Sequence, residues 1–241
     1  MAALLALENV SKTFGSLRVI DGLTVSVGEG EALGVIGPNG AGKTTALNLM
    51  IGRLHPESGT VTFAGRDITS TSPPARCRAG IALTHQIPHP FEALTVFENV
   101  LVGGVFGAGA SERSAYGPSM AALELAGLAS KANTRAGALT LLERKRLELA
   151  RALATGPRVL LLDEIAGGLS EHEVHELVEV IRRAHGAGVA IIWIEHIVHT
   201  LRRVVSRLVV ISAGRMLVEG APDEVMASAL VQRVYLGIDV Q

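Results

Sequence analysis

The bulk composition of the chain excludes several classes of protein before any motif is considered. Of its 241 residues 48% are hydrophobic. The chain has 22 basic and 23 acidic side chains, which gives a formal net charge of −1. The length suffices for a hydrophobic core, and the balanced charge lacks the basic excess typical of proteins that bind nucleic acid. Cys77 is the only cysteine, so no internal disulfide can form. Apolar runs such as residues 189–194 are far shorter than the ~20 residues that cross a bilayer. We expect neither an export signal nor a membrane span.

The first third of the chain predicts short strands with one glycine-rich interruption. The interruption covers residues 37–42 and is followed by a helix-compatible run over residues 43–52. The strands are predicted over residues 4–8, 23–27, 32–36 and 60–63. The order strand, glycine-rich loop and helix is typical of phosphate-binding folds.

The middle of the chain, residues 88–155, predicts a helical subdomain. Its helices are expected over residues 95–102, 119–128 and 142–155. Residues 103–118 are predicted to be an irregular connection. We interpret residues 88–155 as an insertion between two parts of one α/β core, residues 1–87 and 156–241.

The last third alternates buried strands with helices. The elements are predicted as strand 159–162, helix 170–185, strand 189–194, a hairpin of residues 208–212 and 216–219, and a final helix 222–236. Near-continuous apolar strands that alternate with helices predict a parallel sheet covered on both faces.

The loop of residues 37–44 has the complete pattern of a phosphate-binding loop between a strand and a helix. Glycines allow successive backbone N–H groups to surround a phosphate, and the helix N-terminus adds partial positive charge. The lysine of the pattern reaches the β- and γ-phosphates, and the following hydroxyl binds Mg²⁺. A glycine-rich turn with a chance lysine is the structural alternative, disfavoured because the chain has only four lysines. The predicted nucleotide-binding residues here are Asn39, Gly40, Ala41, Gly42, Lys43, Thr44 and Thr45.

Two acids, Asp163 and Glu164, end the apolar strand at residues 159–162. We predict that Asp163 holds Mg²⁺ through water and that Glu164 polarises the attacking water as a general base. The alternative is that both acids merely cap the next helix. Beside a phosphate loop, the pair indicates a nucleoside triphosphatase.

Three further residues complete a family pattern: Phe14 in Lys12-Thr13-Phe14-Gly15, Gln86 after strand-like residues, and His196 just past the predicted strand 189–194. With the motifs above, they make the sequence resemble the ABC ATPases over nearly its whole length. The resemblance implies that Phe14 stacks on adenine, that Gln86 senses Mg²⁺ and the attacking water, and that His196 contacts the γ-phosphate. The structural alternatives are a core phenylalanine, a plain loop glutamine and a histidine without a role.

The fold that the resemblance implies is α/β: a P-loop NTPase of ABC type, with a mixed sheet core, an N-terminal antiparallel β subdomain and an inserted helical subdomain. Residues 1–241 would form one ABC ATPase domain. Residues 1–87 and 156–241 would supply the RecA-like core and the β subdomain, and residues 88–155 the helical subdomain.

A narrower resemblance is to the ATPases of branched-chain amino acid transporters. It is carried by Ile194-Glu195-His196, by the Glu219-Gly220 turn before Pro222, and by residues 234–237. It implies a peripheral subunit on the cytoplasmic face of the membrane that uses ATP and Mg²⁺ to import branched-chain amino acids or a related small polar solute. Its partners would be permease subunits, a second ABC ATPase and, indirectly, an extracytoplasmic solute-binding protein. The alternatives are an ABC ATPase acting on nucleic acid, and a soluble regulatory switch.

One motif departs from the family pattern. Residues 139–143 read Leu-Thr-Leu-Leu-Glu where the family has Leu-Ser-Gly-Gly-Gln, the signature that serves the partner subunit's nucleotide. We expect the two leucines to add bulk and Glu143 to repel the γ-phosphate, which predicts a heterodimer with unequal sites. The helix that follows mixes basic residues with Glu148, which we interpret as a solvated face and not a nucleic-acid patch. The permease is expected to dock near residues 86–91.

Overall fold

The computed structural model describes residues 3–236, and their side chains as far as Val234. The strands are β1 (Ala3–Phe14), β2 (Leu17–Gly28), β3 (Ala32–Ile36), β4 (Ser58–Phe63), β5 (Arg66–Asp67), β6 (Ile81–Thr84), β7 (Val159–Asp163), β8 (Ala190–Ile194), β9 (Arg207–Ser212) and β10 (Arg215–Gly220). The helices are α1 (Lys43–Met50), α2 (Pro73–Ala79), α3 (Val96–Val102), α4 (Glu112–Ala126), α5 (Leu141–Leu153), α6 (Glu171–Gly186), α7 (Val198–Leu201), α8 (Pro222–Ala227) and α9 (Ala229–Leu236).

Contacts divide the described chain into two compact units, and the first comprises residues 3–73 and 190–236. It contains an antiparallel sheet of order β2-β1-β4-β5 and the strands β10-β9-β3-β8 of a second sheet. In the second sheet β3 is parallel to both β8 and β9, and β9 and β10 form an antiparallel hairpin. Every residue of β3 and β8 is buried, as expected for parallel strands covered on both faces.

The second unit, residues 74–189, combines a parallel strand pair with helices. Strands β6 and β7 pair from Ile81 with Val159 to Thr84 with Leu162. Helices α3, α4 and α5 pack on one another, with Val100, Leu123 and Leu147 fully buried. The predicted subdomain 88–155 lies wholly within this unit, and its assignment as a separate subdomain remains a prediction.

The predicted fold class, α/β with an N-terminal antiparallel sheet, a mixed sheet and added helices, is confirmed. Two local predictions are wrong. Residues 103–118 are not irregular, because a π-helical turn occupies Gly103–Gly107 and α4 begins at Glu112, after its cap Ser111. Pro118 is accommodated inside α4 on its exposed side.

The second wrong prediction is the single final helix, which is divided between α8 and α9 because Ser228 has an extended backbone. The motif at residues 234–237 extends beyond the described residues. None of the helices within residues 3–236 has the length and apolarity needed to cross a bilayer.

Arg207 on β9 joins the two sheets of the first unit. Its guanidinium donates to Glu31 Oε1 at 2.7 Å, to Glu219 Oε2 at 2.9 Å and to the Ser26 carbonyl oxygen at 2.6 Å. Burial raises the pKa of Glu31, but hydrogen bonds from Arg207 and the Gly28 N–H outweigh it and leave the pKa lowered. The charged form of Glu31 therefore stabilises the folded state.

We predict that Glu31→Gln lowers the thermal midpoint at about pH 7 by about 2–4 °C, because a charged hydrogen bond at a partly buried site contributes about 1 kcal/mol. A lowered folded-state pKa means that this stabilisation is complete above the unfolded-state pKa and is lost as pH falls through the folded value. The midpoint difference from the parent should therefore shrink toward about pH 3.5 in differential scanning fluorimetry. The exposed Glu124→Gln is the matched control, and a pH-independent difference for Glu31→Gln would contradict the assignment.

Candidate functional site

The glycine-rich loop of the first unit leaves β3 at Ile36 and enters α1 at Lys43. Gly42 caps α1 with φ 99°, a left-handed conformation that side chains other than glycine rarely adopt. A Cβ atom at Gly37 would lie 2.1 Å from the carbonyl oxygen of Ile211. Both glycines are therefore required by the backbone path itself.

Lys43 is buried at the start of α1, and its ammonium group is held by its own loop. Nζ donates to the carbonyl oxygens of Gly37 at 2.8 Å and Pro38 at 3.0 Å. The first-turn amides of α1 have no partner within the helix, so the loop combines an ammonium group with N–H donors, which suits a polyanion. Of the other predicted residues, Asn39, Gly40 and Thr44 are exposed, Thr45 is half-buried, and Ala41 and Gly42 are buried.

Two further predicted residues lie in the first unit. Phe14 ends β1 and is 46% exposed, with Lys12 Nζ 5.7 Å from its ring centroid. It is therefore not a core phenylalanine. His196 is exposed and lies two residues past the end of β8. The buried Glu195 before it accepts a hydrogen bond from the fully buried Trp193 at 3.3 Å, a fixed support that sequence reasoning missed, although the adjacent polar residue after an apolar run was a signal.

The second unit brings Gln86 and Glu164 together. Gln86 Nε2 donates to Glu164 Oε2 at 3.0 Å. Asp163 is the last residue of β7, and Glu164 follows with φ 46°. Left-handed backbone at a residue other than glycine costs about 1–3 kcal/mol and is concentrated at functional sites. The structure thus fixes this carboxylate both through its backbone and through a side-chain partner.

The segment 139–143 forms the start of α5. Thr140 is the N-cap: its hydroxyl accepts from the Glu143 N–H at 3.4 Å, and Glu143 Oε2 accepts from the Thr140 N–H at 3.0 Å. Glu143 also pairs with Lys131. Burial raises the pKa of Glu143, but the bonds from Lys131 and Thr140 outweigh it and lower the pKa. The carboxylate is thus already committed to its own helix N-terminus.

Two expectations about this region need correction. Only Leu141 adds exposed bulk, because Leu142 is buried within its own subunit. The face of α5 that was interpreted as solvated is not, since Lys145 is 4% exposed and Glu148 is 7% exposed. Helical spacing of opposite charges does not distinguish a solvated face from a buried one.

The predicted ligands for Mg²⁺ are few. Among the described residues no group of three or more His, Cys, Asp or Glu side chains can hold a metal ion. Thr44 presents a hydroxyl in the first unit, and Asp163 ends a strand in the second. Mg²⁺ bound with a nucleotide uses one or two protein oxygens, the rest coming from water and phosphate, so a single donor of this kind in either unit suffices.

Comparison with known proteins gives the family. The sequence profile of the ABC transporter family matches residues 20–167, more than half of the chain. The chain belongs to the ABC transporter ATP-binding family. Family cassettes bind ATP or ADP, work with transmembrane permease subunits and dimerise, and this chain is an ABC ATPase that powers a transporter.

Individual relatives and solved structures agree with this assignment. The chain is 38% identical over 223 residues to the Nod factor export ATP-binding protein I of Burkholderia lata, covering 92% of this chain and 72% of the relative. It is 38% identical over 229 residues to the protein of the same name from Paraburkholderia xenovorans, covering 95% and 74%. A solved ABC transporter cassette in its ADP conformation superposes with a TM-score of 0.91 and 28% identity, covering 99% of this chain and all of that one. A nucleotide-free cassette gives a TM-score of 0.89 and 28% identity, covering 98% of this chain and all of the other.

Proposed function

We propose that this ABC ATPase hydrolyses Mg²⁺-ATP with Glu164 as the general base and Gln86 as its positioning partner. The observation that supports it best is the 3.0 Å contact between Gln86 Nε2 and Glu164 Oε2, made at a residue with left-handed backbone. A base must be held in one orientation to abstract a proton efficiently. Here His196, exposed at the end of a buried strand, acts on the γ-phosphate.

The nucleotide is held by the loop of the first unit. Lys43 exchanges its loop carbonyl partners for phosphate oxygens, and the N–H groups of residues 39–45 surround the β-phosphate. The exposed ring of Phe14 stacks on the adenine. The Thr44 hydroxyl and the Gln86 side-chain oxygen would bind Mg²⁺ and Asp163 would hold it through water, and the bound ion would offset the charge on the phosphates.

Glu143 supports a heterodimer with unequal sites. The signature segment serves the nucleotide bound by the other subunit, and here Thr140 caps the α5 N-terminus with Glu143 as the second member of the capping box. A phosphate approaching this N-terminus meets a carboxylate in place of open N–H donors. A partner with an intact signature would complete the site formed by this chain's phosphate loop, whereas the reciprocal site would be weak.

Import of branched-chain amino acids, or of a related small polar solute through a solute-binding protein, is the proposed transport role. Its support is the resemblance of Ile194-Glu195-His196, in which Glu195 accepts a hydrogen bond from the buried Trp193. Export is the second candidate, favoured by the 38% identity to the Nod factor export proteins. In either case the permease contacts residues 86–91, where Ile87 is 65% exposed.

We predict that Lys43→Ala weakens ATP binding by at least about tenfold, since a charge-assisted contact to phosphate is lost. Titration with a fluorescent ATP analogue measures the dissociation constant. Arg113→Ala, an exposed change on α4, is the control. Unchanged affinity in Lys43→Ala would contradict the assignment of the loop.

We predict that Glu164→Gln keeps ATP binding but lowers hydrolysis by about 10²-fold or more, because the amide cannot accept the proton of water. In the complex with its partner ATPase, this change should cost far more than the matching change in the partner. Phosphate release by each singly changed complex measures both effects. Equal losses from the two changes would refute the unequal sites, and parental hydrolysis by Glu164→Gln would refute the base.

We expect the complex with its permease, reconstituted in vesicles with a leucine-loaded solute-binding protein, to accumulate labelled leucine in an ATP-dependent manner. Vesicles carrying Glu164→Gln provide the control for hydrolysis. Failure of leucine and other small polar solutes to stimulate ATP hydrolysis would contradict the import role and favour export.

A further inference from the structure

The segment 85–91, which contains Gln86, has no regular secondary structure between β6 and α3. Such a segment has no ladder of its own to fix its backbone, so its position depends on partners elsewhere. Two of its side chains, Ile87 and Phe91, are exposed. Packing of its own side chains therefore contributes little to its conformation.

Helix α5 supplies partners for the backbone of this segment. Lys145 Nζ donates to the Gln86 carbonyl oxygen at 3.2 Å. Arg151 Nη1 donates to the His89 carbonyl oxygen at 2.9 Å. Farther along the segment, the guanidinium of Arg151 lies 5.3 Å from the ring centroid of Phe91.

Glu148 lies between Lys145 and Arg151 in the sequence of α5 and also contacts the segment. Burial raises the pKa of Glu148. The charge of Arg151 and a hydrogen bond from the His85 N–H oppose this shift but do not cancel it. Arg151 Nη1 also lies 3.2 Å from Glu148 Oε2. The three side chains are spaced by three residues, so they share one side of α5. Lys145 and Arg151 thus contact the segment through two backbone carbonyl oxygens and the Phe91 ring, and Glu148 interacts with it through the His85 N–H and the charge of His89.

We propose that Lys145, Glu148 and Arg151 form a clamp on the backbone of residues 85–91 that positions Gln86 against Glu164. They are positioning residues and touch no reacting atom. The proposal rests on the proposed role of Gln86 and Glu164 in hydrolysis. Because α5 begins at the signature segment with Thr140 as its cap, the clamp also connects the segment that serves the partner's nucleotide to the glutamine that serves this subunit's own.

Hydrogen–deuterium exchange tests the clamp without reference to catalysis. In the full chain, Lys145→Met removes the donor to the Gln86 carbonyl oxygen, and deuterium uptake in peptides covering residues 85–91 should rise while peptides from β3 and β8 stay unchanged. Arg113→Met, an exposed change on α4, is the control. Unchanged uptake in residues 85–91 would overturn the clamp.

A double-mutant cycle tests the positioning role. Lys145→Met should lower kcat about tenfold and leave the dissociation constant for ATP within about twofold. When Gln86 is already replaced by Ala, Lys145→Met should have little further effect, because the clamp acts through that side chain. A further tenfold loss in the Gln86→Ala background would overturn the proposal. If Gln86→Ala hydrolyses ATP like the parent, the proposed role of Gln86 fails, whereas raised exchange would still support the clamp.

Arg151→Met provides a second test in case loss of the buried Lys145 ammonium prevents folding. The Arg151 side chain is only partly buried, and its removal frees the His89 carbonyl oxygen and the Phe91 ring. Exchange over residues 85–91 should rise, and kcat should fall with ATP affinity retained. Parental exchange and kcat in a folded Arg151→Met protein would contradict its part in the clamp.

Discussion

Complete burial of two parallel strands, β3 and β8, is the constraint on which the candidate site depends. The residues of β3 and β8 are buried throughout, so neither strand can slip in register without exposing apolar side chains. The predicted site residues lie at or just past strand ends: the glycine loop after β3, His196 two residues after β8, Gln86 two residues after β6, and Asp163 and Glu164 at the end of β7. Each unit thus holds its share of the residues on rigid strand ends, the usual location of ligand sites in such sheets.

The sequence predicted those features of the structure that are determined by residues close together in the chain. The backbone path of residues 37–44 requires glycine at particular positions, as Gly37 and Gly42 show. A requirement of this kind can be recognised in the sequence alone. The strand before Asp163 is likewise predicted by a run of neighbouring apolar residues. The roles of those residues remain proposals, but their placement on a strand end and a loop was predictable.

The features that sequence reasoning missed depend on distant contacts. Lys145 and Glu148 have the spacing of a solvated helix face, but they are buried, and Lys145 donates to the backbone of Gln86, far away in sequence. Residues 103–118 were predicted to be an irregular connection, so the helical start at Glu112 was missed. Pro118 lies on the exposed side of α4, while the apolar side chain of Leu123 packs inward.

Burial of the two charged side chains Lys145 and Glu148 on α5 is difficult to explain by stability alone. Well-packed apolar residues at positions 145 and 148 would stabilise a fold as much or more, since a buried ion pair loses much of its Coulomb energy to desolvation. An apolar side chain, however, cannot hold a carbonyl oxygen or an N–H group of a neighbouring segment in one place. A loop whose backbone is fixed by ionic hydrogen bonds has few alternative conformations of similar energy. The proposed clamp therefore gives up stability for a defined position of Gln86, and a defined position is what the role proposed for Gln86 requires.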